Sequence, residues 1–267
     1  MAEISSAKLS INPDLLPHGP QTRVIDVGCG DGRHLRAAAV RGCRAVGVDY
    51  DAAEARRTRA LLRDTPADLV VADASHLPFR ASAVDAVICT ETFEHLPNDG
   101  GTACEIARVL RAGGTLLGAV PSHFTEVTYW RLSRGYREAP GGHLRIYCPH
   151  ALITMLDAAG LRVEGVRYAH FVDSIIWLRF CLADFLRRSS RQRTDYESAI
   201  LLAVAAARPI PPWRAAVRRA LARSRFIAAL DAAGALIWPK SLLFVARKRA
   251  NVPSSTFHPP SSFGGKP

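Results

Sequence analysis

Residues 24–32 read Val-Ile-Asp-Val-Gly-Cys-Gly-Asp-Gly. Val24 to Val27 is an apolar run of the kind that fills a parallel strand covered on both faces. Gly28, Gly30 and Gly32 follow, and glycine allows the tight turn that brings bare backbone against a ligand. A helical pattern, Arg33 to Arg41, starts at once, so the loop feeds a helix N-terminus with N–H donors to offer. The dinucleotide fingerprint G-x-G-x-x-G would need glycine at 33, where Arg33 stands. An acid, Asp26, sits inside the strand end instead. A glycine loop alone is weak evidence for any one ligand, so the segments that follow decide the reading.

A second strand, Arg44-Ala-Val-Gly-Val-Asp49, ends in an acid about twenty residues after the loop, where a nucleotide-binding α/β fold places its ribose ligand. A carboxylate suits that place because it accepts from both ribose hydroxyls. The competing role for Asp49, N-cap of a helix over 51–63, fits Asp51 better. A third strand, Asp68 to Ala72, runs into Asp73-Ala74-Ser75, where Asp73 on its own reads as a turn residue. The fourth strand is Val84 to Thr90, followed by Glu91-Thr-Phe-Glu94-His95-Leu. Ile106 to Val120 reads as a helix end, a Gly-Gly break and a fifth strand.

Together these pieces resemble the class I S-adenosylmethionine (SAM)-dependent methyltransferases, of the small-molecule branch that includes ubiquinone biosynthesis. Val24–Gly32 resembles their first motif, and Arg-Val-Leu-Arg-Ala-Gly-Gly (108–114) resembles their post-helix motif. The resemblance spans residues 24–120. It implies a doubly wound, seven-stranded, mostly parallel Rossmann-like α/β sheet, with strand 7 antiparallel and placed between strands 5 and 6. It also implies SAM as cofactor, with Asp26, Gly28, Cys29, Gly30, Gly32, Asp49, Tyr50, Asp73, Ala74 and Thr90 around it. In such proteins the loop backbone holds the methionine part, and the acid after strand three lies beside the adenine amino group.

The cofactor arrives already activated, so the protein mainly aligns acceptor and methyl and excludes water; a base is needed only for a protonated acceptor. Catalytic candidates are His95, Glu94 and His143. The E-x-x-E-H spacing of Glu91, Glu94 and His95 resembles that of the ubiquinone-biosynthetic O-methyltransferases, where such residues can bind a divalent cation, so Mg²⁺, Mn²⁺ or Zn²⁺ on this trio is one expectation. The other is a metal-free site in which the acid anchors the turn and the histidine borders the acceptor. Gly141-Gly-His-Leu-Arg-Ile-Tyr147 stands in the same relation: it borders an acceptor pocket, or His143 and Tyr147 only tie the connector to the sheet.

The bulk properties bound the rest. The chain has 267 residues, 48% hydrophobic and 22% charged, a globular composition. Its six cysteines show no C-x-x-C pair or metal spacing, so buried thiols in a reducing compartment are expected. No basic-then-apolar leader opens the sequence, and no apolar run reaches the about 18 uncharged residues of a spanning helix, so a cytoplasmic place, up to the inner face of the membrane, is expected. Of the net charge of +11, the segment 171–249 carries +10 (15 basic, 5 acidic).

Along the chain, 1–22 reads as a polar N-terminal extension, 23–170 as the SAM-binding core with a connector at 121–148, 171–240 as a helical lid or insertion, 241–249 as the last strand and 250–267 as a disordered, Pro/Ser/Gly-rich tail. A helix is expected over Pro149 to Ala159, ended by Gly160. The insertion contains helical patterns at 171–187, 198–207, 214–225 and 226–238, the third with five arginines. Two readings stand: amphipathic helices lying on an anionic membrane, or helices packed on the protein with solvated arginines. The expected acceptor is a small, hydrophobic or lipid-linked molecule methylated at oxygen or carbon, and no DNA partner is expected. The alternative is an RNA or protein methyltransferase using the basic C-terminal region, although the N-P-P-Y signature of many N-methyltransferases is absent where Cys89-Thr-Glu-Thr stands. Oligomeric state is not legible.

Overall fold

The computed structural model describes residues 9–16, 18–139, 141–189 and 224–250. The strands are β1 (Arg23–Val27), β2 (Arg44–Asp49), β3 (Ala67–Val71), β4 (Val84–Thr90), β5 (Leu110–Pro121), β6 (Leu161–Ala169) and β7 (Ser241–Lys248). They form one sheet in the order β3-β2-β1-β4-β5-β7-β6. β1 to β5 pair in parallel, and β7 runs antiparallel to β5, with Leu117 opposite Val245. This is the α/β arrangement expected, with β7 slotted between β5 and β6. The helices are α1 (Arg33–Val40), α2 (Ala52–Leu61), α3 (Asp99–Val109), α4 (His123–Leu132), α5 (Arg134–Arg137), α6 (Pro149–Ala158), α7 (Phe171–Ser189) and α8 (Arg225–Gly234).

Strand residues alternate between two cores, which is why both faces of the sheet are apolar. Ile25, Val27, Val87, Cys89 and Leu116 pack with Ile106, Leu152 and Leu156 of α3 and α6. Val24, Ala86, Ile88 and Leu117 pack with Leu35 and Ala38 of α1. Ile11 and Leu16 join this second core, so the segment read as a plain polar extension contributes buried side chains. The register sets the strand ends level: Val27 pairs with Val48 and Cys89, and Asp49 pairs with Val71. The loops after β1, β2, β3 and β4 therefore open on one edge. The chain reverses its direction across the sheet between β1 and β4, the place where such sheets bind ligands.

Gly113-Gly114 is not a break before the fifth strand but part of it. β5 already pairs at Leu110, and the register jumps from Val84–Leu110 to Ala86–Thr115, so 111–114 form a bulge. Gly113 takes φ +70°, and a Cβ on Gly114 would lie 2.9 Å from the Arg111 carbonyl.

The chain divides into two compact units. Among the described residues, one is the sheet unit (within 9–123, 143–167 and 241–250); the other is helical (within 124–142, 168–189 and 224–240). The helical unit holds most of α4, with α5, α7 and α8. The Tyr129 hydroxyl donates to the Ser174 carbonyl (2.7 Å), Ser133 to Asp184 (2.7 Å), and the Val172 amide to Asp231 (2.8 Å). The helical patterns at 198–207 and 214–225 fall outside the described residues, apart from Ser224 and Arg225.

Cys29, Cys43, Cys89 and Cys181 are buried thiols. Burial pushes all four up, Cys181 to about 12, and pushes the half-buried Cys104 to about 11. A thiolate is the reactive form, so Ellman's reagent at pH 8 should find about one reactive thiol within minutes and all six after denaturation. Rapid reaction of three or more in the native protein would contradict this packing.

Candidate functional site

The glycine loop is held in a form only glycine adopts readily. Gly28, Gly30 and Gly32 have φ of +69°, +47° and +73°. At Gly28 space is also lacking: a Cβ would lie 2.7 Å from Cγ2 of Thr92. The Gly28 and Cys29 amides both donate to the Val48 carbonyl, at 2.8 and 3.1 Å, which bends the loop over β2. The Gly30 amide donates to Asp49 Oδ2 (3.0 Å), and the Asp51 amide to Asp49 Oδ1 (3.1 Å). Asp49 is thus clamped between the loop and its own turn. Asp51 caps α2, accepting from the Ala53 and Glu54 amides at 2.7 and 3.3 Å.

A cavity of about 680 Å³ opens at these strand ends, lined by Gly28, Val48, Asp49, Tyr50, Ala72, Asp73, Ala74, Glu91, Thr92, His95, Leu96 and Pro97. Of the predicted cofactor residues, Gly28, Asp49, Tyr50, Asp73 and Ala74 are in this wall. Cys29, Gly30, Gly32, Asp26 and Thr90 are not. Gly32 abuts Thr58 and Leu62, Cys29 is buried, and Thr90 contacts His34 (3.2 Å). Asp73 Oδ1 takes both the amide and the hydroxyl of Ser75 at 2.8 Å, and these bonds hold its carboxyl below its ordinary range. Asp73 is therefore a turn residue and a wall residue at once.

Asp26 is fully buried, and burial pushes its carboxyl up to about 7. Its ionisation works against the fold: the cost is absent below the ordinary value of 3.8 and grows as pH rises to about 7.

Thr92, Leu96 and Pro97 were not singled out from the sequence. The Thr92 hydroxyl donates to the Thr90 carbonyl (3.0 Å), and both its hydroxyl and its methyl stand against Gly28. The only sequence signal was position: a small β-branched residue just past β4, facing a glycine.

After β4 the chain turns through Glu91 at φ +50°, an uncommon conformation for a non-glycine residue. The Ser241 hydroxyl of β7 donates to Glu91 Oε1 at 3.0 Å. A 3-10 turn, Phe93–His95, then sends sequence neighbours different ways. The Glu94 side chain is 1% exposed and that of His95 39%, with His95 Nε2 4.0 Å from Glu94 Oε1. His143 stands edge-on to His95, ring centres 4.8 Å apart at 72°. One ligand-type atom from each of Glu94, His95 and His143 lies within 4.8 Å of the others. Glu91 is not in this group, so the trio the structure gathers is 94/95/143 and not 91/94/95.

The connector delivers His143 through its neighbours. The Leu144 amide donates to the Glu94 carbonyl (2.8 Å). Arg145 pairs with buried Asp99 and donates to the Pro97 carbonyl at 3.1 Å. The Tyr147 hydroxyl donates to Asp99 Oδ2 at 2.5 Å. Burial raises the Tyr147 hydroxyl pKa, and the Asp99 carboxylate raises it further. Tyr147 and Arg145 thus serve as ties, while His143 reaches His95. A histidine on a cavity wall, with a carboxylate and a second imidazole behind it, can accept a proton from a hydroxyl in the cavity.

Residues 25–118 match a family model described as "Methyltransferase domain". A "Probable S-adenosylmethionine-dependent methyltransferase" of Mycolicibacterium smegmatis is 32% identical over 143 residues, covering 53% of this chain and 52% of the relative. The ubiquinone biosynthesis O-methyltransferase of Vibrio cholerae is 28% identical over 158 residues, 56% of this chain and 64% of the relative. The chain thus spans between half and two thirds of the length of these relatives. The solved structure of geranyl diphosphate methyltransferase in complex with SAM superposes with a TM-score of 0.56 at 19% identity, over 88% of this chain and 82% of that one. That likeness is one of fold.

Proposed function

We propose that the chain is a class I SAM-dependent methyltransferase, and that it methylates an oxygen or carbon of a small, hydrophobic or lipid-linked acceptor. The residues present suit the cofactor. The loop would have no room for a side chain at Gly28, and three strand ends place Gly28, Asp49 and Asp73 around one cavity. Asp49, oriented by two amides, would accept from the ribose hydroxyls; Asp73 would meet the adenine amino group; the loop would face the methionine part. SAM supplies an activated sulfonium methyl.

The observation that carries the reading is His95 on the same cavity wall, backed by Glu94 and His143. For a hydroxyl acceptor His95 would take the hydroxyl proton, and Glu94 would steady the resulting imidazolium. The name of one relative, an O-methyltransferase of ubiquinone biosynthesis, favours a quinol-like acceptor. If a divalent cation takes part, Glu94, His95 and His143 are its ligands. Two imidazoles and one carboxylate suit Mn²⁺ or Zn²⁺ better than Mg²⁺. Ligand atoms about a first-row ion at ~2.1 Å stand about 3 Å apart, so the group would have to close on it.

The test is transfer of labelled methyl from SAM to a panel of hydroxylated quinols and phenols with apolar tails, with EDTA and with added Mn²⁺, and with RNA and protein acceptors in parallel. His95→Gln should keep SAM affinity and lose about a hundredfold in kcat on a hydroxyl acceptor. SAM binding with label reaching only RNA or protein would overturn the acceptor class and leave the family assignment standing.

A further inference from the structure

α7 carries apolar residues almost all the way round, yet it is not enclosed. Ser174 and Cys181 mark its buried side. Away from it, Ile175, Leu182 and Leu186 recur at i, i+7 and i+11, and Ile176 and Phe180 at i and i+4. These five are 37–59% exposed, as is Phe185 at 50%. Among the described side chains, Arg179 stands between the two stripes, and its long stem can lie along apolar surface with its head in water. Trp177 is 41% exposed and stacks edge-on between Tyr136 and Phe180. α8 joins α7 through the bond between Asp231 and the Val172 amide, and through Gly234, where a Cβ would strike the Phe171 ring. It adds Phe226, and just beyond its end Leu236 and Ile237, exposed at 75%, 83% and 78%. Monomeric soluble proteins rarely show so much large apolar surface without a use for it.

Among the described residues no helix is long and apolar enough to cross a membrane. The segment 171–240 also carries a net +7 (12 basic, 5 acidic), whereas the rest of the chain carries +4. Exposed Phe, Leu, Ile and Trp on helices within a strongly cationic segment have the chemistry of an element that lies in the interface of an anionic bilayer. A purely protein-binding apolar face would not need that charge, and an RNA-binding one would not need the aliphatic stripes.

We infer that the exposed apolar face of α7 and α8 docks the protein on an anionic lipid surface. The inference goes beyond methyl transfer and does not depend on it, because vesicle binding is read without cofactor or acceptor. The test is co-sedimentation of the full chain with phosphatidylglycerol/phosphatidylcholine vesicles at low and high salt. Wild type should bind anionic vesicles, release with salt, and bind pure phosphatidylcholine at least tenfold more weakly. The exposed pair Phe180→Glu and Leu186→Glu should lower the partition coefficient at least tenfold. Far-UV circular dichroism and the urea-unfolding midpoint should stay at the wild-type values and so certify the fold. Three outcomes overturn the inference: no vesicle binding at low salt, equal binding by the variants, or a concentration-dependent dimer of wild type that the variants abolish and that accounts for the sedimentation. The last would assign the face to a second copy of the chain.

Discussion

Asp49→Ala should weaken binding of S-adenosylhomocysteine by about two to three orders of magnitude. Hydrogen bonds to a charged group contribute about 1.5–3 kcal/mol each, and a ribose offers this carboxylate two hydroxyls. The carboxylate also holds the Gly30 amide at 3.0 Å, so its removal loosens the loop. The two contributions separate by ligand. 5′-Methylthioadenosine keeps the ribose and lacks the amino-acid end. If Asp49 acts on the ribose, both ligands lose the same factor. If it acts through the loop, S-adenosylhomocysteine loses far more. Asp49→Asn, which can still accept one bond, should lose about tenfold. Calorimetric affinity unchanged in a folded Asp49→Ala would remove Asp49 from the site.

The sequence was most legible where chemistry repeats locally. Near-continuous burial along β1 and β4, glycines at three positive-φ positions, and an acid closing β2 follow from residue type and spacing alone, and the structure gathers the glycine loop and the acid at one edge of the sheet. Asp51 outcompeted Asp49 as the α2 cap on the same grounds. What was not legible depends on contacts distant in sequence. Glu91 is held by Ser241, 150 residues away, and so stands apart from Glu94 and His95. His143 reaches His95 because Arg145 and Tyr147 fasten on Asp99, pairings of 46 and 48 residues. Thr92 lines the cavity because Gly28 leaves room for it. A linear pattern could name Glu94, His95 and His143 as candidates, but not choose between Glu91 and His143 as their partner.

The same fastening makes Arg145 the largest expected stability effect. Its side chain is 7% exposed and that of Asp99 2%. Asp99 also accepts from the Gly100 amide (2.9 Å) and from Tyr147 (2.5 Å). Arg145→Met leaves the carboxylate buried without its cation, which costs about 3–5 kcal/mol, or roughly 10 °C in Tm for a domain this size. The loss comes from the stranded charge, not from the pair's own strength, so removing the charge as well should restore most of it. Arg145→Met with Asp99→Asn, which can still accept from Tyr147, should recover more than half of the lost stability in urea unfolding. Additive losses in the double variant would mean that the two side chains act separately. Arg145 also positions His143, and its bond to the cavity lining is at the Pro97 carbonyl rather than at Gly28, Asp49 or Asp73. The double variant should therefore bind SAM as wild type does and turn over a hydroxyl acceptor more slowly, with kcat falling and KM for SAM unchanged. A parallel loss of SAM affinity would show that the Gly142–Tyr147 segment supports the cofactor wall itself, and that His143 is there for the fold.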